Sequence, residues 1–310
     1  MSMIMMLPVF ATAAAGELFP PELVEFTPFE HNPVFQGAGP GHWDETIRER
    51  GWILRENGLY HLWYTGYRLP ETNSKSLGYA TSTDGIHWEP YSGNPIYSEK
   101  WTEDMMIVKV DAASRGAATY YMFAEGVDDE AHMLTSTDRI HWIEKGKLHI
   151  TKKNGDPIGP GPFGTPTAFY ENETWHLFYE RDDVAIWLAT SKDLEAWTNV
   201  QDEPVLERGP GVYDQAMIAL DQIVKYKGLY YAYYHGLIPN SNPQNWTTNI
   251  AVSSDLIHWT KYSKNPILDK DRSSGVLVED GSQFRLYTMH PVVCLYLYHA
   301  PLGVRSSSAK

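Results

Sequence analysis

Apolar and polar residues alternate with a period of two through most of this chain. The alternation is clearest in four aromatic runs: LYHLWYTGY at 59–67, ATYYMFAEG at 118–126, TWHLFYERD at 174–182 and LYYAYYHG at 229–236. Three of them follow a charged turn, RENG at 55–58, YENE at 170–173 and KYKG at 225–228. Each is followed by a second apolar run, LGYATSTD, AHMLTSTD, IWLATSKD and NIAVSSD. Period-two runs rich in Tyr, Trp, Ile and Val, broken by Gly, Asn and Asp, predict strands and tight turns. No stretch sustains a helical period between capping residues.

The strands recur in units. The strings TSTDGIHW at 81–88, TSTDRIHW at 135–142, TSKDLEAW at 190–197 and SSDLIHW at 253–259 end in Trp88, Trp142, Trp197 and Trp259, spaced 54, 55 and 62 residues apart. Proline-containing strings follow in three units: GNPIYS at 93–98, DEPVLE at 202–207 and NPILD at 265–269. Four strands per unit at this period predict a β-propeller. Four complete units run from about residue 48 to 269, and a fifth, SGVLVEDG, QFRLYTMH and VVCLYLYHA, has only three strands. Its missing string, HNPVF, stands at 31–35. The chain is therefore expected to be all-β, a single five-bladed propeller over 22–302 with four antiparallel strands per blade. Residues 22–35 would close the ring as the outer strand of the last blade and remove an exposed sheet edge.

Composition narrows the partners. A formal net charge of −14 with no Lys/Arg-rich run argues against nucleic acid, which needs basic patches. The single cysteine, Cys294, allows no internal disulfide and no Cys-based zinc site. The N-terminal MSMIMMLPVFATAAAG resembles a signal-peptide core and cleavage site, although the usual basic start is missing. We expect a leader over 1–15, a periplasmic or secreted protein, and a disordered tail over 303–310. Without export the protein would be cytoplasmic. No other segment is apolar over the ~20 residues of a membrane span. A neutral carbohydrate handled by carboxylates fits this acidity; the oligomeric state is not encoded in any visible pattern.

In a propeller blade the innermost strand starts, and the second strand ends, on one face. Chemistry is expected at those positions. They hold WDETIRERGW at 43–52, WTEDMMIV at 101–108, GPGPFGTPT at 159–167 and GVYDQAM at 211–217, with Glu125, Glu180 and Arg181, His235 and His290 at second-strand ends. Candidate catalytic carboxylates are Glu49, Asp104, Glu180, Glu125 and Asp44. Candidate substrate contacts are Trp43, Arg48, Arg50, Arg181, Asp214, His235 and His290.

Each has a plainer alternative. Glu49 can be a structural ion pair with its arginine neighbours, and Glu180 with Arg181. Asp44 and Asp214 can cap turns, and the two histidines can be satisfied core groups. His235 and His290 are too weak a pattern to define a metal site, so no cofactor is expected, and a central ion has no support. Two carboxyl groups across a mouth suit glycosidic bond cleavage, one as proton donor and one as base or nucleophile. Arg48 and Arg50 would keep a neighbouring carboxylate ionised. Glu125 has less positive charge around it than Glu180, but Glu180 lies across the ring from blade one.

The five-unit pattern, the Asn-Pro strings and the Ser-x-Asp-x-x-x-Trp strand ends resemble the five-bladed propeller glycoside hydrolases, families 43, 32, 68, 117 and 130. The resemblance spans residues 22–302 and implies glycoside cleavage. In that superfamily an Asp opening blade one is base or nucleophile, an Asp opening blade two tunes the acid, and a Glu opening blade three is the acid. Asp104 matches the second position. Glu49, or Asp44, matches the first. At the third, GTPT at 164–167 offers no carboxylate, so the acid would come from Glu180, Glu125 or Asp214. The resemblance implies a hydrolase releasing a terminal sugar. The alternatives are a phosphorylase, with Arg48, Arg50 and Arg181 forming a phosphate pocket, and a propeller that binds glycans without cleaving them.

Overall fold

The computed structural model describes residues 18–68, 75–112, 116–159, 163–281 and 283–299. The expected leader over 1–15 and tail over 303–310 lie outside the described residues. The chain forms five antiparallel sheets arranged as the blades of a propeller. The inner strands are Thr46–Glu56, Glu103–Val110, Thr167–Glu171, Met217–Tyr226 and Val276–Asp280. Each pairs with a second strand: Leu59–Tyr67, Thr119–Glu125, Thr174–Arg181, Leu229–Leu237 and Gln283–Met289. The last blade is completed by the N-terminal segment, where Thr27 pairs with Leu297 and Phe35 bridges Val293. Among the described residues no helix is long and apolar enough to cross a membrane.

Blade three holds one element that the strand pattern does not announce. Ile150–Thr151, leaving blade two, adds to it in parallel with Trp197–Asn199. The core lies in the layers between blades, and the motif tryptophans are part of it. Trp142 of blade two meets Trp63 of blade one edge to face at 6.4 Å, and Trp197 of blade three meets Phe123 of blade two at 6.0 Å. Such pairs add to the burial of their apolar area.

The recurring Ser/Asp/Trp string is a turn device. In blade two, Ser136 Oγ accepts the Arg139 N–H at 2.9 Å, and Asp138 Oδ1 accepts the Ile140 and His141 N–H groups at 3.0 and 2.8 Å. The same bonds recur at Ser82/Asp84, Ser191/Asp193 and Ser253/Asp255. The His141 side chain and these backbone donors hold the Asp138 carboxyl well below the usual carboxylate range. The turns follow third strands, so they lie on the face opposite the inner-strand starts.

The Asn-Pro strings are clamps. Asn94 accepts the Tyr79 N–H and donates to the Tyr79 carbonyl, both at 2.9 Å. Asn265 grips Ile250 in the same way at 3.0 Å for both bonds, and Asn32 grips Leu295 at 2.8 and 2.7 Å. A primary amide carries both a donor and an acceptor, so one side chain satisfies a third-strand residue where the outer strand ends. Blade three has no such asparagine and uses backbone pairing from Leu206–Glu207.

Candidate active site

The mouth is built from irregular backbone. The inner strands of blades one, two and four each carry a register shift near their start, between Arg48 and Trp52, Glu103 and Met106, and Leu220 and Gln222. Glu49, Asp104, Thr165 and Ser274 adopt left-handed backbone, with φ of 51°, 44°, 42° and 56°. Each such residue costs about 1–3 kcal/mol, and such strain clusters at functional sites. Bulges also re-aim side chains. Here they turn the neighbours Arg48 and Glu49, and likewise Glu103 and Asp104, into one cavity of about 430 Å3.

Among the described residues, nine carboxyls line this cavity: Glu49, Glu103, Asp104, Glu125, Asp128, Asp129, Glu180, Asp182 and Asp183. Arg48, Lys75 and His235 face them, with Tyr67, Trp101, Thr165 and Trp246 in the wall. Arg48 Nε lies 2.8 Å from Glu49 and 3.2 Å from Glu103. Glu103 also takes Lys75 Nζ and, at 2.8 Å, the Trp101 indole N–H. Its oxygens are therefore occupied by three donors, and it anchors the wall.

The carboxyls differ in their surroundings. Burial raises Glu49, while Arg48 opposes that shift most strongly, helped by His235 and Lys75. Burial and the nearby Glu49 carboxylate push Asp104 up to about 7. Burial also raises Glu125 well above the usual range, and the charges of Asp104 and Glu103 add to it; the Thr165 N–H, at 2.8 Å, opposes. Glu180 rises to about 7 through burial and Asp183. Both Glu180 oxygens accept backbone N–H groups, from Gly164 at 3.0 Å and Asp183 at 2.7 Å. For His235, burial acts downward but the Asp221 carboxylate 2.7 Å away overrides it, and the imidazole rises to about 9.

Blade three solves its missing carboxylate with a small residue. A side-chain carbon added at Gly164 would stand 2.4 Å from Glu125 Oε2 and 2.8 Å from Glu180 Oε1. Thr165 occupies the strand-start position itself. Two second-strand glutamates, one from blade two and one from blade three, reach into the space that Gly164 leaves.

Of the twelve candidates, Arg48, Glu49, Asp104, Glu125, Glu180 and His235 line the cavity. Six do not. Arg50 is fully buried beneath it and donates to Thr167 Oγ1, the carbonyls of Leu220 and Asp221, Pro166 and Asp104, joining four blades. Asp44 and Asp214 are buried counterparts in blades one and four. Asp44 accepts Tyr64 Oη at 3.1 Å and Asp214 accepts Tyr234 Oη at 3.3 Å. Each tyrosine is in turn met at 3.3 Å by the clamp asparagine of its blade, Asn94 or Asn265. A pair repeated in two blades belongs to the scaffold. Trp43 stacks on Tyr64 at 5.8 Å in the same assembly. Arg181 bonds the Gly159 carbonyl at 3.1 Å. His290 accepts the Glu49 N–H at 3.3 Å, so it braces the bulge from behind.

Sequence reasoning missed Glu103, Lys75, Trp101, Asp183, Asp221 and Trp246. Strict strand alternation places Glu103 and Asp104 on opposite faces, and only the bulge unites them. Among the described residues no group of three or more His, Cys, Asp or Glu is arranged to hold a metal ion.

No family model matches the chain. It is similar to a 1,2-beta-oligomannan phosphorylase of Thermoanaerobacter sp., 25% identical over 237 residues that span 71% of this chain and 74% of that one. Among solved structures it resembles a glycosyl hydrolase from Bacteroides ovatus, with TM-score 0.69, 16% identity and coverage of 88% of this chain and 93% of the other. It also resembles a beta-1,2-mannobiose phosphorylase from Listeria innocua, with TM-score 0.67, 16% identity and coverage of 88% and 96%. The fold is thus the five-bladed propeller that these hydrolases and phosphorylases share.

Proposed function

We propose that this protein is a glycoside hydrolase that releases a terminal sugar, with Glu125 as proton donor and Glu49 as base or nucleophile. The observation that carries the proposal is the split between these two carboxyls within one cavity. Burial and the Glu103 charge raise Glu49, but Arg48, His235 and Lys75 hold that rise back. Glu125 has anionic neighbours that favour its protonated form. Groups whose surroundings push their proton affinities apart are suited to acid and base roles. Glu180, with both oxygens held by backbone, is assigned to positioning Gly164 and Asp183.

Asp104 tunes the acid. Its charge is the largest one that raises Glu125. The acid must be protonated, so activity falls as pH rises through its pKa. Removing the Asp104 charge lowers that pKa. Asp104→Asn should therefore fold normally, turn over about two orders of magnitude more slowly, and show an alkaline limb displaced to lower pH. An unmoved limb, or near-normal turnover, would sink the assignment.

Phosphorolysis is the second possibility, supported by the names of the Thermoanaerobacter and Listeria proteins. We favour hydrolysis. Of the three arginines that a phosphate pocket would use, Arg50 is committed to buried carbonyls, Arg181 lies outside the lining, and Arg48 is already paired with Glu49 and Glu103. The cavity's other cations, Lys75 and His235, are likewise paired, with Glu103 and Asp221.

A further inference from the structure

A second concavity of about 530 Å3 adjoins the first and shares Trp101, Gly126 and Asp128 with it. It runs outward along blade two, from Trp101 before the inner strand to His132 in the third strand and Lys147 in the outer one. The turn Gly126–Asp129 forms the saddle between them. Asp129 faces only the cavity, Val127 only the groove, and Gly126 and Asp128 face both. Asp128 and Asp129 are consecutive left-handed residues, with φ of 62° and 53°. Phe163 N–H to Asp129 O and Gly126 N–H to Glu130 O, both at 3.0 Å, pin the turn. Val127 is 56% exposed, a large apolar side chain standing open to water. Trp101 is fixed by its bond to Glu103 and by Lys75 Nζ, 3.6 Å from the ring centroid. An indole held rigid at the junction, an open valine and ionic groups at the far end make a preorganised wall for an amphipathic ring such as a sugar.

We propose that this blade-two groove binds the sugar units beyond the scissile bond, so that the substrate is an oligosaccharide laid along blade two. The proposal rests on the glycoside-cleaving role of the cavity. Val127 and Lys147 line the groove and not the first cavity, which lets length recognition be separated from chemistry.

The test measures Kd by calorimetry in a Glu125→Gln background, with manno-, gluco-, arabino- and fructo-oligosaccharides of two and four units. In at least one series the longer glycan should bind about tenfold more tightly. Val127→Arg and Lys147→Ala should each cut that gain below about threefold and leave the shorter glycan within about twofold. No gain in any series, or a gain that survives both substitutions, overturns the groove. Turnover of the same glycans by the unsubstituted protein is read separately. A length-dependent gain without any cleavage would retain the groove and remove the catalytic role.

Discussion

Glu125→Gln is expected to lower turnover of unactivated glycosides by about 10²–10⁴-fold, the usual contribution of a positioned general acid. The loss should be far smaller for a p-nitrophenyl glycoside, whose leaving group departs without a proton. Glutamine keeps the volume and still accepts the Thr165 N–H, so folding should be unchanged. The alkaline limb of the pH profile should vanish with the acid. Equal losses on both substrates would mean that Glu125 only shapes the cavity. The analogous Glu49→Gln loss should fall on both substrates alike, because attack is needed in either case.

The largest expected effect on stability is at Arg50. Its side chain is fully buried, and it joins blade one to the strand starts of blades two, three and four. Arg50→Met keeps the length and removes every side-chain donor, leaving carbonyls of Asp104, Pro166 and Asp221 short of a partner, while Leu220 keeps the Thr167 hydroxyl at 2.8 Å. A stranded buried polar group costs about 1–3 kcal/mol. With partial relaxation we expect a total of about 3–5 kcal/mol, the upper end for one substitution. Urea unfolding would read this as a lower midpoint at unchanged slope. A loss below about 1 kcal/mol would contradict the hub role.

Glu125 and Arg50 mark two limits of what the amino-acid pattern discloses. The five blades were legible because the Ser/Asp/Trp turn recurs in four of them and the Asn-Pro clamp in three. Closure by the HNPVF segment was legible because the fifth unit lacks a proline string and HNPVF supplies one. The cavity was legible only in outline. Strand order placed Glu49, Asp104, Glu125, Glu180 and His235 at one mouth. It also placed Asp44 and Asp214 there, because both precede inner strands. Their tyrosine and asparagine partners lie far along the chain, and only the fold brings these together. Arg50 was likewise placed there and lies beneath the cavity, while Glu103 lines it unannounced. Alternation assigns a face to each residue, and a bulge cancels that assignment over two or three positions. Lys75, in the polar string ETNSK, resembles any loop lysine; its burial against Glu103 and Trp101 is a tertiary fact.

The central claim is cleavage by water at this carboxylate-lined cavity. The most direct measurement incubates the protein with oligosaccharides in phosphate-free buffer and follows released monosaccharide, with and without added inorganic phosphate. We expect free sugar at a rate that phosphate leaves unchanged and that Glu125→Gln lowers by at least about a hundredfold. Product that appears only with phosphate, as a sugar phosphate, would contradict hydrolysis.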